Sequence, residues 1–338
     1  MKKNWRYHPA RWLLALLILL FLFLALSRFD LRSLLHSVKQ IPLWSIAMLL
    51  GLQIVSQLLV NFQWYKIAKF CGAPLSFRIM FYINCQGAVM DSITPGVKIG
   101  GEITRSVQIS RIAACSGEQA AAVTAMQKVF SMSAFFLINV FAAGYIIGKA
   151  PFPETRHLQF FMYGIAVLFL LLLLCLFFMP RRMKTYLQIK AEPRSLWLLR
   201  LRGFSLVLLD QIISIRKNTK TCAALFLLSN LIWLLYPVKL YLLAVQFFPE
   251  VNIVLAGVVT FVSYMVAMLP VFPGGLGGFE GTMTGLLLAM GFLRSDALVI
   301  TVIFRFATFW FVLLVSLVFS ASYKIITRLL PAQLSPAG

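Results

Sequence analysis

The chain has 338 residues, 61% of them hydrophobic and only 12% charged, with a mean hydropathy of +0.89. Soluble domains carry about 25% charged residues, so the composition excludes an ordinary soluble enzyme and leaves no room for a sizeable soluble domain. Thirty-one Lys and Arg against ten Asp and Glu give a net charge of +21; the bases flank apolar runs without aromatic interleaving, which points to anionic lipid headgroups and away from nucleic acid.

In chain order, the basic start at residues 1–11 leads into an apolar run over 12–27. No small-residue cleavage site ends that run, so it reads as an uncleaved first span. Span two, at 43–64, carries Gln53, Gln57 and Asn61 at i, i+4 and i+8, which places three amides on one helical face. That face suits either interhelical hydrogen bonds or contact with a polar substrate. An apolar arm over 79–94 follows, holding Asn84, Gln86 and Asp91. At 1.5 Å per residue it reaches about 24 Å, short of a bilayer core of about 30 Å. It ends in Thr94-Pro95-Gly96-Val97-Lys98-Ile99-Gly100-Gly101-Glu102, a turn that sends the chain back as a re-entrant hairpin.

Span three (119–147) has one charge, Lys128, and span four covers 158–179. Residues 180–220 form a basic linker whose apolar-rich part, 196–215, is expected to lie along the membrane surface. Span five (222–247) carries Lys239, read as snorkelling toward the outer boundary. A second apolar arm (251–271) then meets Phe272-Pro273-Gly274-Gly275-Leu276-Gly277-Gly278-Phe279-Glu280-Gly281. A returning arm ends at Phe292, and the last span (297–323) again has one charge, Arg305.

The two glycine-rich turns share a plan. Each opens with Pro-Gly, contains Gly-Gly and places a glutamate seven residues after the proline. Glu102 precedes Lys128 by twenty-six positions and Glu280 precedes Arg305 by twenty-five. With both hairpins returning to their side of entry and the N-terminus inside, inner segments hold twenty-two Lys and Arg and outer segments six. The positive-inside rule then predicts both termini in the cytoplasm. The expected fold is an all-α polytopic membrane protein: one transmembrane domain with about six full spans plus two glycine-rich re-entrant hairpins, in inverted-topology repeats over about 43–147 and 222–323. Broken helices in inverted repeats are where secondary transporters place their binding sites.

The candidate substrate-binding residues follow from that plan. Lone cations deep in a span face a cavity or a partner, which selects Lys128 and Arg305. Their bland role is ion pairing, Lys128 with Glu102 or Asp91 and Arg305 with Glu280. Arg suits bidentate phosphate contact, whereas Lys acts as a point charge. Glu102 and Glu280 sit at helix starts, where negative charge is favoured; capping and ion pairing are weighed ahead of proton coupling. Gly100, Gly101, Gly274, Gly275, Gly277 and Gly278 allow positive φ and close approach, and their N–H groups form an anion cradle. Asn61 and Gln57 complete the candidate lining. Arg105 and Arg111 are read as solvated charges meeting anionic lipid. The five cysteines and three histidines show no metal-ligand spacing, no catalytic motif is present, and no cofactor is expected.

At these paired turns the sequence resembles the membrane region of lysylphosphatidylglycerol synthase/flippase proteins and related flippase-like membrane proteins. The resemblance runs over about residues 10–325 and rests on Pro95-Gly96, Gly100-Gly101-Glu102 and Arg105, on the decamer ending at Gly281, and on Arg305. It implies inverted repeats with re-entrant hairpins around lipid-sized cavities and the translocation of a phospholipid, some relatives being tied to envelope glycan or lipid assembly. In the span after the first motif, positions where family members often carry extra carboxylates read Gln127, Lys128 and Ser131, which leaves Lys128 without a local counter-charge. The aminoacyl-transferase domain of the synthases is not among these residues, so lysylphosphatidylglycerol synthesis is not expected.

The resulting expectation is a bacterial inner-membrane translocase for a phospholipid or polyprenyl-phosphate lipid, with membrane lipids as partners and a homo-oligomer left open. Two alternatives stand beside it. One is a membrane-embedded enzyme or accessory subunit acting on lipid-linked glycans, for which Asp91, Asp210 and Asp296 are the candidate acid–base groups. The other is an ion or small-solute transporter on the same plan.

Overall fold

The computed structural model describes residues 36–94, 99–149, 156–189, 195–268 and 275–329, and every regular element among them is helical. In chain order these are α1 (Leu43–Phe70), α2 (Phe77–Ile93), α3 (Ile99–Ile112), α4 (Gly117–Lys149), α5 (Arg156–Phe178) and α6 (Pro180–Ile189). There follow α7 (Leu196–Lys217), α8 (Thr219–Ala244), α9 (Ile253–Ala267), α10 (Gly278–Ala289), α11 (Arg294–Arg305) and α12 (Phe311–Leu329). A single π-helical turn, Phe306–Trp310, joins α11 to α12. The first expected span at 12–27, together with Pro95, Gly96, Pro273 and Gly274, lies outside the described residues.

Four described helices are long and apolar enough to cross a membrane: Leu43–Phe70, Gly117–Ala142, Thr219–Ala244 and the continuous run Arg294–Thr327. A fifth span results if Tyr163–Phe178 and Pro180–Ile189, bent by 73°, count as one. The bend sits at Pro180, which takes the first position of α6; proline is favoured there because that N–H has no intrahelical partner anyway. Exposed leucines on α5 (Leu171, Leu172), α8 (Leu227, Leu231) and α12 (Leu314, Leu317) give these helices apolar outer faces. Water would penalise such faces and hydrocarbon does not. The chain is therefore membrane-integral.

The arms on either side of the two glycine-rich turns pack against each other, α2 on α3 and α9 on α10. The second unit repeats the neighbour relations of the first. α1 contacts α2 and α3 contacts α4; correspondingly, α8 contacts α9 and α10 contacts α11. The units also exchange contacts. α2 packs on α12 through Phe81–Phe319 and Tyr82–Tyr323, with ring centroids 4.6 and 4.5 Å apart. α4 packs on α9 through Phe135–Phe261, at 5.9 Å.

One core joins α8, α9, α10 and α11 around Leu240, Phe279, Ile300 and Phe304. A second joins α2, α4 and α7 around Met80, Val123, Met126 and Ile212. α1 serves both, giving Leu49 to the first and Trp64 and Ile67 to the second. All five cysteines are free; burial pushes the Cys71 thiol, just past α1, up to about 12, so it is an inert filler. α7 packs on α4, α6 and α8, with Leu209, Ile212 and Ile215 buried.

The close packing of α2 on α3 depends on positions that lack a side chain. A Cβ on Gly101 would overlap the Asp91 carboxylate, and one on Gly87 would press into the Arg105 guanidinium. Gly101→Ala is expected to cost about 1–3 kcal/mol through overpacking, read as a lowered Tm in detergent. Gly285→Ala, at a helical position with open space around it, should lose nothing; equal Tm values for the two variants would contradict this packing.

Candidate functional site

Two charge clusters sit at the starts of the helices that follow the glycine-rich turns. The first is built on α2, α3 and α4. Glu102, in the first turn of α3, pairs with Lys128 Nζ at 2.9 Å and lies 3.6 Å from Arg105 Nη1. Arg105 Nη2 donates to Asp91 Oδ2 at 3.1 Å, and the Gly101 N–H donates to Asp91 Oδ1 at 3.0 Å. Two carboxylates and two cations thus cancel, as an apolar setting requires. Lys128 is the accessible member, its side chain 32% exposed against 11% for Arg105. Glu102 Oε2 and Arg105 Nε are buried and have no hydrogen-bond partner among the described residues.

The second cluster is built on α10, α11 and the π turn. Gly277, with φ +84°, is the N-cap of α10, and its N–H donates to Glu280 Oε2 at 2.7 Å. The other carboxylate oxygen, Oε1, accepts from Arg305 Nε at 2.9 Å. The Arg305 guanidinium is sandwiched between the rings of Phe279 (4.7 Å) and Phe309 (4.4 Å). The π turn begins at the next residue and carries Phe309; such single turns recur at functional sites because they re-aim side chains without ending the helix. Here the accessible member is the acid: the Glu280 side chain is 28% exposed and that of Arg305 6%. Gly275, with φ +70°, is packed so closely on Ala267 that a side chain would not fit.

A third group of polar residues joins α1 to α8 and α4. Lys239 is fully buried and donates to Gln53 Oε1 and Ser56 Oγ on α1, each at 2.7 Å, with the Tyr236 ring 4.3 Å away. A buried ammonium without a carboxylate costs free energy; two oxygen acceptors and a π face offset part of that here. Gln63 on α1 bridges Ser229 on α8 and Gln127 on α4.

The structure revises several sequence expectations. Arg105 is not a solvated charge: it is 9% exposed, held between Asp91 and Glu102 and covered by the Trp64 ring at 5.5 Å. Lys239 does not snorkel, because its acceptors on α1 lie inside the bundle. The three-amide face of α1 divides. Gln53 serves Lys239, whereas Asn61 donates to Phe77 O and accepts from Asn84 on α2, and Gln57 is half-buried. Lys128 finds its counter-charge in Glu102. Positions 127 and 131 make interhelical bonds, the latter accepting from Trp233 Nε1.

The glycine N–H groups of 101 and 277 are not open: each already holds one of the protein's own carboxylates. Gly100 closes tightly on Thr94, Gly278 makes ordinary contact with Val266, and Gly274 lies outside the described residues. Arg111 is exposed at the end of α3. Asp91 is engaged with Arg105, Asp210 with Lys184, and Asp296 accepts from Ser37 Oγ at 2.6 Å; they sit on different elements. Gly87, Trp64, Gln63 and Ser56 were not singled out in the sequence. A small residue facing a later arginine is a signal only once the α2–α3 register is known.

The family described as the lysylphosphatidylglycerol synthase TM region matches residues 11–316 of this chain. Among curated proteins, a UPF0104 membrane protein of Methanothermobacter thermautotrophicus is 30% identical over 106 residues, covering 31% of this chain and 32% of the relative. Another UPF0104 membrane protein, from Methanocaldococcus jannaschii, is 25% identical over 96 residues, covering 28% of this chain and 29% of the relative. The chain thus spans about a third of the length of the curated relatives it matches.

The first cluster yields a direct test. Asp91→Asn should destabilise the protein by about 3–5 kcal/mol, the penalty for breaking a buried ion pair, and adding Arg105→Met should recover much of it. Additive losses in that double-mutant cycle, read by chemical denaturation in detergent, would show that the two side chains are not coupled.

Proposed function

The chain belongs to the lysylphosphatidylglycerol synthase transmembrane-region family, and from that premise we propose that it is a lipid translocase. On this reading it moves a phospholipid or polyprenyl-phosphate lipid between leaflets of a bacterial inner membrane, with both termini cytoplasmic and two re-entrant hairpins arranged as inverted repeats. The repeated neighbour relations of α1–α4 and α8–α12 support that plan.

The observation that carries the reading is the state of the first cluster. It combines a one-third exposed Lys128 with a buried donor, Arg105 Nε, and a buried acceptor, Glu102 Oε2, that nothing among the described residues satisfies. Unpaired buried polar atoms are rare and call for a partner. A phosphate supplies an acceptor for the guanidinium and a counter-charge for Lys128; a headgroup amine or hydroxyl supplies a donor for the carboxylate. One zwitterionic or hydroxylated phosphate headgroup completes the cluster.

Arg305 is the weaker first contact because Glu280 and two rings enclose it. It engages a phosphate only when Glu280 swings away, and the exposure of that carboxylate permits the swing. Acyl chains stay in the bilayer throughout. A headgroup that exchanges one ion pair for another crosses the bilayer without leaving a bare charge in hydrocarbon, which is the main barrier to unassisted flipping.

Proteoliposomes carrying headgroup-labelled lipids test the activity. Wild type should flip at least one phosphate lipid class, and Lys128→Ala and Arg305→Ala should each slow it at least tenfold. Rates equal to wild type would remove these residues from the site, and absence of flipping for every class would remove the function. For orientation, in a background with the five native cysteines replaced by serine, Lys184→Cys should label only from the cytoplasmic side and Arg294→Cys only from the opposite side. The reverse pattern would invert the topology.

A further inference from the structure

Away from both clusters, a cavity of about 750 Å³ opens where the 73° bend between α5 and α6 meets the end of α7. Its size falls within the roughly 300–1,000 Å³ range of small-molecule sites. Four cations line it, Arg181, Arg182, Arg216 and Lys217, together with Phe178, Met179 and Ile213. No carboxylate is among the lining residues, and none of the four cations pairs with an acid of another described residue. The acid of α7, Asp210, is taken by Lys184.

The cavity is partly pre-organised. Arg216 Nη1 donates to Phe178 O at 3.1 Å, capping the C-terminus of α5, and its guanidinium lies 5.7 and 5.6 Å from the rings of Phe177 and Phe178. That fixes the plane of the group while leaving further N–H donors free, since a guanidinium has five. α6 starts at the lip, so the first N–H groups of that helix add to the positive potential. A second, smaller cavity of about 490 Å³ shares Lys217 and adds Lys220.

Four converging cations without a counter-ion among the described residues repel one another and attract anions strongly at a low-dielectric boundary. The apolar wall decides which kind of anion. Phe178 is 62% exposed, and Leu171, Leu172 and Leu174 continue the exposed apolar surface along α5. A free phosphate has no use for that surface, whereas an amphiphile covers it with its chains. Basic pockets between membrane helices are a recognised setting for acidic headgroups.

We propose that this cavity is a binding site for an acidic phospholipid of the surrounding leaflet, distinct from the two clusters. Its headgroup phosphate is held by Arg181, Arg182, Arg216 and Lys217, and its acyl chains lie along α5. The lipid braces the α5–α6 bend against α7 and is not cargo, so the site stands whether or not the protein flips lipid.

The test uses the full chain in mild detergent, with lipid retention read by native mass spectrometry and Tm read after adding cardiolipin, phosphatidylglycerol, phosphatidylcholine or inorganic phosphate. Wild type should retain the acidic lipids at least tenfold more strongly than phosphatidylcholine, and only the acidic lipids should raise Tm. The triple variant Arg181→Gln/Arg182→Gln/Lys217→Gln, which keeps the Arg216 cap, should lose that preference. Arg78→Gln/Lys66→Gln/Lys324→Gln, removing the same charge elsewhere, should keep it, as should Arg181→Lys/Arg182→Lys. Equal retention by wild type and the first triple variant would overturn the site. Equal loss in the control triple would reduce it to diffuse charge, and an equal Tm rise with inorganic phosphate would overturn the lipid assignment.

Discussion

A charge placed among apolar helices must be met by an opposite charge or by well-aimed dipoles, and the rest of this structure is arranged around that requirement. Glu102 answers Lys128, Asp91 answers Arg105, Glu280 answers Arg305, and two α1 oxygens answer Lys239. Each compensation crosses from one helix to another. The interactions that make burial tolerable are therefore also the ones that set which helices are neighbours and in what register.

The two clusters are alike in plan and opposite in presentation. In both, a carboxylate takes a glycine N–H beside a glycine-rich turn, and a cation from the same or a following helix neutralises the charge. Yet the first cluster offers its cation outward and the second its acid. The first is also under-satisfied, whereas the aromatic sandwich and the cap leave both carboxylate oxygens of Glu280 engaged. The inner polar bridge at Lys239 ties α8 to α1, while the more accessible charges, Lys128 and Glu280, lie on α4 and α10.

Much of this was legible in the sequence. The apolar runs and the matching spacing from glutamate to cation mark most of the apolar helices, the Arg305–Glu280 pair, and Glu102 or Asp91 as the partner of Lys128, of which the structure selects Glu102. Depth in a span was legible, but direction was not. The settings of Lys239 and Arg105 are invisible in the sequence because the groups that hold them, Gln53 and Ser56 for one and Asp91 and Trp64 for the other, come from other helices. In a linear sequence the glycines look like open cradles, because nothing there says that the protein's own Asp91 and Glu280 take the N–H groups of Gly101 and Gly277. The π turn after Arg305 has no compositional mark at all; it becomes visible only as a mismatch in hydrogen bonding around Phe306–Trp310.

The central claim is that a lipid headgroup completes the first cluster. Electron cryomicroscopy of the protein in nanodiscs containing phosphate lipids tests it most directly. The account predicts headgroup density with its phosphate within hydrogen-bond reach of Lys128 Nζ and Arg105 Nε, and with the Lys128–Glu102 pair loosened. Headgroup density confined to other surfaces, with that pair intact and Arg105 Nε still without an acceptor, would contradict it.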